Sequence, residues 1–572
     1  MESFHQRKER FYLKLLFGAL LGIFLLIGLI WCGHDLYARW QERRLVRRAV
    51  VALQHGDDAT ASLAARAILE LNPTSASAAR IMAELAEHAG ERSALDWRRK
   101  VAQLDPQSVD DALALVRSAV RFNDLGTAER GLASVPERAR TTAPYHEAAA
   151  RLAQAKHQDD QAETEWNEAL RLRPNDKSFQ VQLGGLRTVS NDPQRRAEGE
   201  AMLNALRSDP AQRSAATRAL INGAIARHED AQNALNLARE LQEFPEATWN
   251  DRLLYLDLLH AIEDPKFSSY LTELEKEAVN NPGWLTALLS WMTRSRLNLL
   301  ALDYINTLPL EAAKKWPTPV AVGDVYVKLD EWQKLEALTA KAQWGHFDFL
   351  RHAYLARALR EQGKAAAAQH EWVAASKQAS EQSDFLSVLI QTTSEWKWEN
   401  ESTELLWSLS KRPEKQQEAL LALYRSYARA ADTQGLYRVL HHLADADGNN
   451  LDVLNNLAQV SLLLNVNLQE ARRVAADAYR KAPTNPAYVS TYAYSRLSQG
   501  NAKEALRIMS SLTEEQLSDP SISAYYGICL AANGDEKARA HLEFGKKANL
   551  LPEEKALVDK ALANLNSWRR AQ

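Results

Sequence analysis

Glycine punctuation at a near-constant interval is the strongest constraint on what this chain can fold into. Gly56 and Gly90 lie 34 residues apart, as do Gly500 and Gly534, while Pro73 and Pro106 are separated by 33. Such an interval holds two short helices and their turns, a unit too small to bury its own apolar face alone. The units must stack, and a stacked array escapes the limit of about 250–300 residues on a single core. That matters for a chain of 572 residues. Beyond residue 40, Ala, Leu, Glu, Gln and Arg predominate, and apolar residues recur at spacings of three and four without sustained alternation. Helices are expected throughout, and no sheet is needed. Hydrophobic residues make up 46% and charged residues 25%, with only 22 Gly and 18 Pro, which excludes disordered and collagen-like chains. Cys32 and Cys529 are too few for a disulfide framework or a four-cysteine zinc site.

Individual units are legible at both ends of the array. Pro486 to Leu512 reads as a helix, a Gln499-Gly500-Asn501 turn and a second helix, with Ala493 and Ala505 small enough for the helices to touch. Gly527 repeats that small residue one unit on. Upstream, Ala458, Ala471 and Ala478 occupy the corresponding places before an Ala482-Pro483-Thr484-Asn485-Pro486 boundary. Ala162, Trp166 and Ala169 precede Leu172-Arg173-Pro174-Asn175, and Ala356, Gly363, Ala368, Trp372 and Ala375 keep the same offsets. Small residues permit close helix crossing, the tryptophan fills the gap to the next unit, glycine permits a left-handed turn and Pro-Asn stops the second helix.

At these residues the chain resembles the tetratricopeptide-repeat family, whose helix-turn-helix units stack into a right-handed superhelix with a concave binding surface. The pattern is clear over 42–175 and 349–552. Residues 190–345 keep boundaries such as Asn281-Pro282 and Lys328-Leu329-Asp330-Glu331-Trp332, but their small-residue positions are blurred. The resemblance implies an all-α chain with a right-handed α-solenoid of about 15 partly degenerate helix-turn-helix repeats. The expected divisions are a basic tail over 1–14, a transmembrane helix over 15–33, and repeat arrays over 34–189, 190–345 and 346–572. The resemblance also implies protein or peptide partners. The Lys, Asn and Arg set with which some members hold a terminal carboxylate is not reproduced. Carrying the concave first-helix positions onto the clear units places Arg151, Arg357, Arg360, Asn455, Gln459 and Tyr494 in a mixed polar groove. Trp396 and Trp398 are the candidates for an exposed aromatic anchor, while Trp166 and Trp372 are expected to pack between helices.

The run from Leu15 to Cys32 carries no ionisable side chain and is long enough, at 1.5 Å per residue, to cross a bilayer core. It is read as a retained single-pass helix, since bulky residues occupy the places where a cleavage or lipoprotein site needs small ones. Gly18 and Gly22 form a G-x-x-x-G pair suited to helix self-association, hence a possible homodimer. Flanking charges do not decide orientation; a long C-terminal domain is expected to be exported from a bacterial inner membrane. Residues 1–50 hold nine Lys/Arg against four Asp/Glu within a chain of net charge −3, so residues 51–572 carry −8. That balance lacks the basic surface that nucleic acid requires.

Motifs for chemistry fail on inspection. No phosphate-cradling glycine loop or nucleophile elbow occurs. His146-Glu147 and His370-Glu371 lack the second histidine four residues on, and Asp445-Ala446-Asp447-Gly448 has the wrong spacing for a calcium loop. His441 and His442 are adjacent and diverge on a helix. No catalytic residue, metal or cofactor is assigned. The expected function is a membrane-anchored scaffold that binds protein partners and organises a complex. The alternatives are an enzyme or enzyme subunit positioning glycan or peptidoglycan substrates, or a membrane-tethered regulator recruiting cytoplasmic proteins.

Overall fold

The computed structural model describes residue 37 and residues 40–571, apart from 228–230 and 414. Helices joined by short turns make up the described residues, which contain no strand. They fall into two compact units, 1–291 and 292–572.

The repeat register is written in the backbone. A residue with positive φ closes the hairpin turns at Gly56, Gly90, Asn123 and His157, and again at Glu263, Arg296, Asp330, Gly363, Lys397, Ala431, Asn465, Gly500 and Gly534, though not the turn between Lys177–Thr188 and Pro193–Leu206. Within each run the interval is 33 to 35 residues. Between hairpins a second signal operates. The Leu468–Lys481 helix stops at Ala482, Pro483 prevents its continuation, and the Asn485 side chain accepts from the Ala487 amide to start Pro486–Leu497. Asp192 before Pro193 and Asp519 before Pro520 do the same.

Close helix contact follows from small residues, as expected. Ala493 and Ala505 are fully buried between the two helices of one hairpin. At Gly199 a Cβ would lie 2.7 Å from the Arg187 Cβ and 2.8 Å from the Gly184 carbonyl oxygen. Gly199→Ala must therefore push Pro193–Leu206 away from Lys177–Thr188. Overpacking of this kind costs about 1–3 kcal/mol, and a lowered denaturant midpoint checks it; an unchanged midpoint would show that the hairpin yields freely.

Neighbouring units are tied by polar pairs about one repeat apart. Arg80 binds Asp111 at 2.5 Å, and Arg218 grips Asp251 through two bonds of 2.7 Å. Burial pushes both carboxyls up, but the guanidinium bonds prevail and hold them below the usual aspartate range. Trp291 donates to Asp257, Tyr354 to Asp324 and Tyr488 to Asp452 in the same manner.

Membrane spanning is corrected. Among the described residues no helix is long and apolar enough to cross a membrane. The Pro552–Ala571 helix, for example, opens with Glu553, Glu554 and Lys555. The run over 15–33, with Gly18 and Gly22, lies outside the described residues. Among the described residues each unit is an all-α array of helical hairpins, and the single-pass topology, inner-membrane location, membrane partner and glycine-mediated homodimer are withdrawn.

Candidate protein-binding site

The turn joining Ser383–Glu395 to Glu399–Leu409 builds the centre of the site. Lys397 adopts φ 59° and the Trp398 amide donates to the Thr393 carbonyl at 2.9 Å. This tight reversal folds Trp396 edge-on against Tyr354, with ring centroids 5.2 Å apart, and Trp398 against Trp372 at 5.6 Å. The expected exposed aromatic anchor is thereby corrected. Trp396 and Trp398 retain 9% and 6% of their accessible surface, because the turn directs both indoles into the packing between hairpins.

Two of the first-helix arginines converge on Trp398. The Arg360 guanidinium carbon lies 3.6 Å from its ring centroid, and that of Arg357 lies 5.4 Å away. A cation over an indole face is attracted by the ring quadrupole. Arg360 also pairs with Glu401 at 2.7 Å and Arg357 with Glu361 at 3.2 Å. The Arg357 Nε is buried and makes no hydrogen bond. Burial lowers the Arg357 pKa and Arg360 adds to this, against the pull of Glu361.

Beside Trp398 a cleft of about 560 Å³ opens between Ser383–Glu395, Glu399–Leu409 and Gln416–Ala430. Ile390, Leu406 and the Trp398 indole provide apolar wall, and Lys397, Arg425 and Arg429 line it with positive charge. Lys397, Arg425 and Arg429 were not among the expected groove residues. The available signal was Arg425 and Arg429 at a four-residue spacing, which places both on one helix face.

The remaining groove residues lie elsewhere. Arg151, in the first unit, sits over the Trp166 ring at 5.5 Å and bonds Glu147 at 3.0 Å. His146, on the same helix, bonds Glu165 across its hairpin at 2.6 Å, and His352 bonds Glu371 in the equivalent position of a later repeat. Gln459 and Tyr494 meet the start of the Pro552–Ala571 helix. Gln459 donates to the Tyr525 hydroxyl at 3.0 Å and to Glu554 at 2.9 Å, and the Tyr525 hydroxyl donates to Glu554 at 2.6 Å. Tyr494 packs edge-on against Tyr525, and burial together with the Glu554 charge pushes both phenols up. Thr433 donates to Glu553. Asn455 is wholly buried with both amide atoms unpartnered, so the expected open lining is corrected here to a packed contact.

Glu554 also accepts from the Leu551 amide at 2.9 Å. Glu554→Ala strands these donors in a buried setting, which costs about 1–3 kcal/mol. Hydrogen exchange is expected to rise in Pro552–Ala571 and Pro520–Ala532; unchanged exchange there would show that the contact is dispensable.

Among the described residues no group of three or more His, Cys, Asp or Glu side chains could hold a metal. No family model and no curated protein matches the chain. Three solved structures of tetratricopeptide-repeat proteins are similar to it at low scores. The hetero-tetramer Cut9–Hcn1 of the APC/C has 12% identity and a TM-score of 0.27, covering 91% of this chain and 96% of that one. PilF of Pseudomonas aeruginosa has 15% identity and a TM-score of 0.25 over 42% of this chain and 92% of its own. Naa15/Naa10 bound to HypK has 13% identity and a TM-score of 0.23, over 92% of this chain and 78% of its own. The class rests on this chain's own geometry: hairpins closed by left-handed residues every 33 to 35 positions, with small residues at the crossings. Among the described residues it is an all-α helical-repeat protein.

Proposed function

We propose that this chain is an interaction scaffold that binds protein partners and organises them into a complex. Its means are geometric: rigid hairpins hold separate contact sites at fixed spacing, which raises the effective concentration of one bound partner for another. The observation that carries this reading is the cleft beside Trp398, where the indole approached by Arg357 and Arg360 borders an opening between hairpins lined by Lys397, Arg425 and Arg429. Aromatic and arginine side chains concentrate binding energy at protein interfaces.

Photocrosslinking tests it. A photoreactive amino acid placed in turn at Ser426 in the cleft, at Gln459, and at exposed Leu63 is expected to give discrete protein adducts from Ser426 and a different pattern, or none, from Leu63. Absence of discrete adducts from every position overturns the scaffold reading.

A further inference from the structure

Most charged side chains packed between these hairpins are matched. Arg360 has Glu401, Arg357 has Glu361, Arg351 has Asp348, and Lys364 has Glu336. Lys397, Arg425 and Arg429 are different. All three are exposed and line one cleft, and among the described residues they make no ion pair or side-chain hydrogen bond. Their positions are set by rigid structure. Lys397 is the left-handed residue of its turn, while Arg425 and Arg429 occupy successive turns of the Gln416–Ala430 helix. One carboxylate, Glu399, also lines the cleft, so positive charge remains in excess.

We infer that this cleft docks an acidic segment of a protein partner, its carboxylates meeting Lys397, Arg425 and Arg429 while an adjacent apolar side chain rests on Ile390, Leu406 and Trp398. Three features select this occupant. Free cations converging on an opening provide electrostatic complementarity to carboxylates. The apolar wall beside them gives a hydrophobic anchor, which a plain anion would not use. The volume of about 560 Å³ fits a few side chains and falls within the range of ligand-sized clefts. Nucleic acid is disfavoured, since Glu399 lies at the cleft and the chain carries net charge −3 without an extended basic surface.

The inference rests on the scaffold reading and is tested separately from it. The full chain is titrated into a fluorescein-labelled acidic octapeptide of Asp and Glu with one central Phe, followed by anisotropy. The comparison probes are its Asn/Gln counterpart, the acidic peptide with Phe replaced by Gly, and a single-stranded oligonucleotide. The acidic peptide is expected to bind, more weakly as salt rises, and to lose affinity by about tenfold or more when neutralised. Replacing its Phe is expected to weaken it further. Arg425→Glu with Arg429→Glu, and independently Lys397→Glu, are expected to lower affinity at least about tenfold, whereas Arg66→Glu in the first unit leaves it unchanged. Arg425→Gln with Arg429→Gln replaces the charge reversal if thermal melting shows that the reversed variant misfolds. Equal binding of acidic and neutral peptides, or insensitivity to these substitutions, overturns the inference and leaves the cations as partners of nearby helix C-termini alone. Preferential binding of the oligonucleotide overturns it in favour of a nucleic-acid site. Either failure, with protein adducts still formed from other positions, removes the acidic partner but not the scaffold.

Discussion

Trp166→Ala is expected to destabilise its hairpin by about 3–5 kcal/mol, the range for removing a large buried aromatic. The indole is fully buried and packs against Phe179 of the next helix, with ring centroids 5.7 Å apart. Its Nε1–H donates to the Gln154 side chain at 3.1 Å, and Arg151 covers a face of the ring. Truncation opens a cavity between consecutive repeats and leaves Gln154 and Arg151 without their partner. Stability in stacked repeats is a sum of local and nearest-neighbour contributions, so the damage should remain local. Hydrogen exchange is expected to accelerate in Ala143–Ala155, Asp159–Leu172 and Lys177–Thr188, with little change in distant helices. Uniform acceleration would show instead that the unit unfolds as a single cooperative body.

The same tryptophan shows why parts of the fold were legible in the sequence. Ala162, Trp166 and Ala169 occupy one helical stripe, and all three are fully buried. Local pattern and tertiary contact coincide. In the blurred middle the geometry survives while its signal changes: Glu263, Arg296 and Asp330 take the left-handed turn conformation filled elsewhere by glycine. A turn can impose that conformation on another residue at some conformational cost, and the glycine interval then vanishes from view.

The site was legible to a lesser degree. Arg357, Arg360 and Trp398 meet because successive hairpins bring them to one place, an arrangement that repeat register can expose. The fate of Trp396 depended on the direction of the Lys397 turn, which adjacent tryptophans do not specify. Asn455, Gln459 and Tyr494 were misplaced for another reason. For Gln459 and Tyr494 the cover comes from Glu554, far along the chain, and no periodicity near residue 459 announces its return. First-helix position identified an inward face but not what already occupied it.

Asp324→Asn is expected to change how stability depends on pH, because Asp324 is the half-buried anchor beneath this site. Its carboxylate accepts from the Tyr354 hydroxyl at 2.5 Å, Tyr354 packs on Trp396, and Trp396 packs on Trp398. Burial raises its pKa from 3.8 to about 6, opposed by the Tyr354 bond; Glu395 adds to the rise and Lys328 opposes it. The folded protein thus holds this proton more tightly than the unfolded chain. The resulting stabilisation is full below pH 3.8 and is lost as pH rises through about 6. Above that pH the ionised group leaves the fold about 3 kcal/mol less stable than it would be with the proton retained. Other aspartates slope the opposite way: Asp111, Asp251 and Asp348 have lowered values and lose their stabilising contribution on acidification. The difference between wild type and Asp324→Asn isolates this group, since Asn keeps an oxygen to accept from Tyr354. Asp324→Asn should gain stability relative to wild type as pH rises from 4 to 7.5, read as a widening gap in denaturant midpoints. Parallel midpoint curves would place the ionised carboxylate in water and remove it as the source of the pH dependence.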